Sequence, residues 1–167
     1  MENFKRLFKA LNDGCVKYLV CGGVAINLYG IERATADIDI AISLDEKNID
    51  RFINVAKEIG LKPKMPVALN DLRNPQKREE WKVEKGMIVL SLYDEKAPFF
   101  LLDVFIEPQF NFNDAYARRK EINMGEIIIP LVPIDVIIEM KEKTGRPQDK
   151  ADIFYLRKIL EEWKDEG

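Results

Sequence analysis

The sequence predicts an α/β chain of the mixed (α+β) kind: a mixed β-sheet with helices packed against it and two helices at the C-terminal end. Three observations carry this. Short apolar runs of strand length alternate with helical periodicity through the first sixty or so residues. Two strand-like runs, "GMIVLSLYD" and "FFLLDVFIE", then follow one another as a hairpin. The chain closes on two helical segments.

In order, Phe4, Leu7, Phe8 and Leu11 repeat at helical spacing, so residues 2–12 read as a helix that "NDGC" ends. "VKYLVCGG" reads as a short buried strand running into two glycines, and "VAINLYG" as a short helix ended by Gly30. Residues 36–43 form a further strand. Asp45 is placed to cap a helix over roughly 46–59, with Ile49, Phe52, Ile53, Ala56 and Ile59 inward and Gly60 just past its end. Residues 61–86 break the pattern with three prolines, little periodicity and dense charge, and 62–85 is predicted to be a mobile, basic flap over the cleft. After the hairpin, "EIIIPLV" is one more strand. Pro133 opens a helix to about Lys143, "TGRP" turns, and residues 147–164 form the last helix with Pro147 in its first turn. Ala151, Ile153, Phe154, Leu156, Leu160 and Trp163 are expected on its inner face. With 167 residues, 47% apolar and 33% charged, one domain over 1–167 is expected, its core about 1–107 and the C-terminal strand and helices about 108–167.

Composition excludes several chemistries. There is no histidine, so His-based triads, His general bases and His/Cys zinc sites are removed together. Cys15 and Cys21 form no Cys-x-x-C pair and read as reduced thiols of a cytoplasmic protein. "MENFKRLF" lacks the apolar stretch of a signal peptide, and no apolar run approaches the ~20 residues of a membrane helix. Net charge is −3, so polyanion binding would need a local patch. Lys62 to Lys85 offers one, with seven basic residues against four acidic.

Acid–base and metal chemistry then rests on other side chains, and "TADIDIAIS" supplies them. Asp37 and Asp39 interrupt an apolar strand, where an ionised carboxylate is costly unless paired or metal-bound. Alternation puts both on one face, about 6.5–7 Å apart at Cα. Such a pair at the mouth of a central strand suits divalent cations, and Mg²⁺ (or Mn²⁺) favours oxygen donors while keeping waters for phosphates. In an edge strand the pair would mean little. Asp103 interrupts a second apolar strand in the same way; a lone strand Asp is otherwise a gatekeeper against edge pairing. The three together predict a converging carboxylate cluster. Gly22 and Gly23, between a strand and a helix, allow backbone N–H groups to approach phosphate, although the sequence is neither G-x-G-x-x-G nor a P-loop.

At "LVCGGVAINLYGIERATADIDIAI" the chain resembles the polymerase-β-like nucleotidyltransferases, especially a small prokaryotic branch similar to AbiEii-like toxins, which often reads G-G…R-x-T-x-D-I-D. Gly22, Gly23, Arg33, Thr35, Asp37 and Asp39 fall in that register. Lys141, Arg146, Asp149 and Asp152 of "EMKEKTGRPQDKADIFYLRKIL" are similar to the same branch. The resemblance implies a nucleotidyltransferase-like sheet and a Mg²⁺-dependent transfer of an NMP from an NTP, with ATP expected, to a hydroxyl acceptor. It implies that Gly22 and Gly23 hold the triphosphate and that Asp37 and Asp39 bind two metal ions. Asp103 would complete the site or take the hydroxyl's proton. Arg33 and Lys141 would neutralise phosphate, the alternative being a solvated surface pair. Thr35 would assist or bond only the local backbone. Asp149 and Asp152 read as structural acids favoured by the helix dipole, and Tyr29 and Trp81 as packing rather than base-stacking residues. The acceptor is left open among protein, short RNA end and small molecule. A toxin with a cognate antitoxin partner uses the same chemistry; a non-catalytic nucleotide-binding or toxin–antitoxin partner protein is the alternative.

Overall fold

The structure, a computed structural model, describes residues 2–166, with side chains through Lys164. A seven-stranded mixed sheet runs through it in the order β3-β4-β5-β2-β1-β7-β6. The strands are β1 (Tyr18–Cys21), β2 (Asp37–Ile42), β3 (Leu61–Pro63), β4 (Val89–Asp94), β5 (Ala97–Phe105), β6 (Lys120–Met124) and β7 (Ile127–Leu131). The contacts β2–β5 and β1–β7 are parallel and the rest antiparallel, so the expected mixed sheet is present.

Helix α1 (Glu2–Asp13) buries Leu7, Phe8 and Leu11, the residues its periodicity selects. Helix α2 (Gly22–Leu28) starts directly where β1 ends. Helix α3 (Glu46–Glu58) is capped by Asp45, whose side chain accepts from the Asn48 N–H, and buries Ile49, Phe52, Ile53 and Ala56. Asn48 is buried but satisfied: its amide donates to the Lys17 and Ser43 carbonyls and accepts from the Lys17 N–H. That network ties α3 to the chain on either side of the β1–β2 pair.

Residues 61–86 correct the expectation of a flap. They contain edge strand β3, a 3₁₀ turn at Leu69–Arg73 and helix α4 (Pro75–Lys85). Leu72 and Trp81 are buried and anchor the segment to the core. Charge hid the helix, because α4 presents one large apolar side chain inward. Its boundaries were nonetheless written in the sequence. Asn74 caps the Gln76 N–H, Pro75 opens the helix, and Gly86 closes it in the left-handed region at φ 64°. Two further elements were unforeseen: α5 (Phe112–Ala117) and β6, which pairs with β7 as a hairpin turning at Gly125.

Helix α6 (Ile134–Thr144) and helix α7 (Pro147–Glu166) close the chain as expected. The inner face of α7 differs from expectation. Ile153 and Leu156 point inward with Leu160 half-buried, but Ala151, Phe154 and Trp163 are exposed. Asp149 and Asp152 take the inward places instead. Apolarity alone could not show this, since what makes the buried acids tolerable is their cationic and hydroxyl partners: Lys141, Thr144 and Arg146 just upstream and, for Asp152, distant Arg33. Tyr29 and Trp81 are packing residues; the Tyr29 hydroxyl donates to the Val132 carbonyl at 2.7 Å.

Candidate active site

Strands β2 and β5 are central and parallel, with Asp39 beside Asp103 and Asp37 beside Leu101. Alternation then turns Asp37, Asp39 and Asp103 to the same face, while Ile38, Ile40, Leu102 and Val104 are buried on the other. On β4, Ser91 lies opposite Asp103 and its hydroxyl donates to Asp103 Oδ1 at 2.6 Å. Thr35 donates to the Asp37 carbonyl at 3.2 Å, bracing the entry to β2.

The glycine pair is packed against this group. Gly22 has φ 64°, and a Cβ there would lie 2.9 Å from the Asp39 carboxyl carbon. A Cβ at Gly23 would lie 2.7 Å from Thr35 Oγ1. Neither position has room for a side chain, and the first also needs a backbone conformation that glycine reaches without strain.

The electrostatics are unbalanced. Burial, the charges of Asp103 and Asp37 and a hydrogen bond with Asp103 push the Asp39 carboxyl up to about 7, against a smaller pull from Arg33. Burial also raises Asp103, opposed by the Ser91 hydrogen bond; the charge of Asp37 adds to the rise, and Asp39 and Lys64 oppose it. The protein brings these acids together without supplying enough positive charge to balance them.

The three lie on one sheet face, with Asp39 beside Asp103 and Asp37 two residues along the same strand. Among the described residues, no group of three or more His, Cys, Asp or Glu side chains is arranged to hold a metal ion. Asp39 meets Asp103 directly, and Asp37 acts on both through its charge. In donor chemistry the group still suits a hard divalent cation, being all carboxylate oxygen and short of positive charge.

A second acid cluster lies at the α6–α7 junction. Lys141 Nζ contacts Asp149 at 3.2 Å and Asp152 at 2.9 Å, and Arg33 also pairs with Asp152. Asp149 Oδ2 accepts from Arg146 Nε at 3.0 Å and from the Thr144 hydroxyl at 2.6 Å. Burial works against ionisation of Asp149, but the hydrogen bonds from Thr144, Arg146 and Lys141 outweigh it and hold its carboxyl well below the usual range. Arg33 and Lys141 are therefore not a solvated surface pair: their side chains are only 23% and 11% exposed, and both are engaged by Asp152. Between the two clusters lies a cleft of about 250 Å³, lined by Gly22, Asp39, Phe105, Ile137, Met140 and Lys141 among others. A larger cleft, about 500 Å³, lies between α1 and the β6–β7 turn and holds none of the three strand acids.

Ser91 and Lys64 escaped the sequence reading. Ser91 had a signal, a hydroxyl in the apolar alternation of "VLSLYD"; Lys64 had none, since only the β3–β4 pairing brings it near Asp103.

No protein-family model matches the chain, and no curated protein matches it. Solved structures do. Lincomycin-bound LnuA, a lincosamide antibiotic adenylyltransferase, superposes with a TM-score of 0.57 at 21% identity over 93% of this chain and 96% of that one. A putative nucleotidyltransferase from Thermotoga maritima gives 0.58 at 16% identity, over 96% and 92%. ANT(2'')-Ia in complex with adenylyl-2''-tobramycin gives 0.58 at 12% identity, over 93% and 85%. At these identities the likeness establishes the fold: the chain has the nucleotidyltransferase architecture that its sequence resembles. No helix among the described residues is long and apolar enough to cross a membrane.

Proposed function

We infer that the protein is a nucleotidyltransferase that moves an NMP from an NTP, ATP by preference, to a hydroxyl acceptor and releases pyrophosphate. One observation carries this reading: three carboxylates share the face of two adjacent parallel strands, undercompensated in charge, beside a glycine pair with no room for side chains. The three solved structures that share the fold, an adenylyltransferase with its antibiotic among them, support it.

In this reading Asp37 and Asp39 hold Mg²⁺ or Mn²⁺, with Asp103 as a further ligand. When bound, the metal neutralises phosphate charge and orients the leaving pyrophosphate. Gly22 and Gly23 let the backbone approach the triphosphate closely; Lys141 lines the cleft beside Gly22, and Arg33 shares Asp152 with it. Asp103 accepts the proton of the acceptor hydroxyl, steadied by Ser91. The acceptor oxygen forms a bond to the α-phosphorus as the bond from that phosphorus to the bridging oxygen breaks; the electron pair leaves with pyrophosphate. Positioning and charge compensation supply most of the rate.

The test is incubation with each of four α-labelled NTPs, Mg²⁺ and a cell extract, asking which molecule becomes labelled. Label on an acceptor, absent with Asp39→Asn, is expected. Failure to label anything while Mg²⁺·NTP still binds would favour the non-catalytic nucleotide-binding alternative. The G-G…R-x-T-x-D-I-D register, similar to AbiEii-like toxins, favours use as a toxin; growth arrest on expression that Asp39→Asn relieves tests that refinement.

A further inference from the structure

The sheet face that bears Asp103 is covered over β1 but open over β4 and β5. The burial pattern states this directly. Leu90, Leu92, Leu102 and Val104 are fully buried on one side, while Val89, Ser91, Tyr93, Leu101, Asp103 and Phe105 on the other stay partly exposed. Cross-strand register arranges the open side as three rungs: Val89 with Phe105, Ser91 with Asp103, and Tyr93 with Leu101. An apolar rung, a polar rung carrying the proton acceptor, and a second apolar rung span about 13 Å from end to end. Beside the Ser91 and Tyr93 rungs stand Lys62, paired with Glu95 at 2.8 Å, and Lys64, whose backbone N–H donates to the Ser91 carbonyl at 2.8 Å; the Phe105 end borders the cleft that Lys141, Lys143 and Arg146 line.

We propose that this three-rung face receives the acceptor, and that the acceptor is a small neutral molecule with apolar parts on either side of the hydroxyl presented to Asp103. The proposal rests on the transfer reading for the role of Asp103. Charge selects the class. A polynucleotide needs a row of cations along its phosphates, and Lys64 with a Lys62 already held by Glu95 does not make a row along the rungs. A polycation needs acids apart from those that serve the nucleotide, and the rungs carry none. A neutral body that buries against Val89, Tyr93, Leu101 and Phe105 gains from the apolar surface it covers. It also sets its hydroxyl at the rung where the Ser91 hydroxyl and Asp103 already meet at 2.6 Å. The product is the NMP ester of that hydroxyl, with pyrophosphate released.

Binding can be read apart from transfer. Methyl NMR of the full chain would be followed during titration with three probes: n-octyl β-D-glucopyranoside below its micelle concentration, the amino-sugar polycation kanamycin, and a short RNA with a free 3′ hydroxyl. The glucoside is expected to shift the Val89 and Leu101 methyls and to leave exposed Ile128 on β7 unmoved. The shift should be lost in Leu101→Glu and, should that variant misfold, in Tyr93→Ser. Shifts by kanamycin or RNA without the glucoside would overturn the proposal, as would no shift at all, or equal movement of Ile128. Mg²⁺·ATP binding measured on the same samples separates the two readings. A glucoside that binds this face of a protein with no affinity for Mg²⁺·ATP counts against the transfer reading alone.

Discussion

The molecule holds two clusters of acids in opposite electrostatic states. At the α6–α7 junction, Asp149 and Asp152 are buried but answered by Lys141, Arg33, Arg146 and Thr144, and the Asp149 carboxyl is held low. On β2 and β5, Asp37, Asp39 and Asp103 face one another with little positive charge, and the Asp39 carboxyl is held high, at about 7. The first cluster is complete and fastens α7 to the loop before β2. The second carries strain that a cation from outside would relieve. Buried acids that a fold keeps for structure come with their partners; acids kept without partners are candidates for function.

The largest expected effect breaks the second cluster. Asp103→Asn keeps the shape but removes the base, so transfer should fall ~10²–10⁴-fold with nucleotide affinity changed far less. Asp37→Asn and Asp39→Asn should damage nucleotide affinity as well. Calorimetry with Mg²⁺ beside a transfer assay reads both, and near wild-type transfer by Asp103→Asn would remove it from the site.

The next effect contrasts stability. Asp149→Asn removes the buried carboxylate that accepts from Lys141, Thr144 and exposed Arg146, while Lys141 keeps Asp152; a loss of about 1–3 kcal/mol is expected. Asp39→Asn removes a crowded like charge and should raise the melting temperature of the metal-free protein at pH 8. Chemical denaturation of both variants in EDTA compares them; equal destabilisation would erase the distinction between the clusters.

Proton linkage sharpens the same contrast. The folded Asp39 carboxyl lies above its unfolded value, so its penalty is full above about pH 7 and fades as pH falls toward 4. Asp149 lies below its unfolded value, so its contribution is full above about pH 4 and is lost as pH falls further. Metal-free stability should therefore be greatest at about pH 4 as far as these two groups decide it, and fall as pH rises from there to about 7. Added Mg²⁺ should raise the melting temperature more at pH 8 than at pH 5, where the proton competes for Asp39. A Mg²⁺ effect independent of pH would count against Asp39 as a ligand.

The smallest effect is the exposed control. Arg157 and Glu142 pair at 2.7 Å with side chains 60% and 50% exposed. Arg157→Ala should cost no more than about 0.5 kcal/mol by denaturant midpoint.

Legibility followed the range of the interactions. Helix α1, the Asp45 cap and the alternation of β2 depend on neighbours within a few positions, and each was readable. Helix α4 was readable at its ends, through Asn74, Pro75 and Gly86, but not in its charged middle, where Trp81 alone holds it to the core. The inward turn of Asp152 was not readable, because its partner Arg33 lies more than a hundred positions away; the partners of Asp149 lie within eight positions, but their closure on it depends on the angle between α6 and α7.

By itself the sequence determined the residue types of the chemistry. It removed histidine, set three aspartates into apolar strands and left two glycines at a strand–helix junction. Side-chain alternation, a local property of any strand, was enough to put Asp37 and Asp39 on one face. Only the tertiary structure decided that Asp103 stands beside Asp39, since parallel register between β2 and β5 joins segments some sixty residues apart and no local propensity specifies it. It alone decided which acids would be neutralised. A carboxylate's charge state depends on what packs within a few ångströms of it, and that is set by the folded chain as a whole.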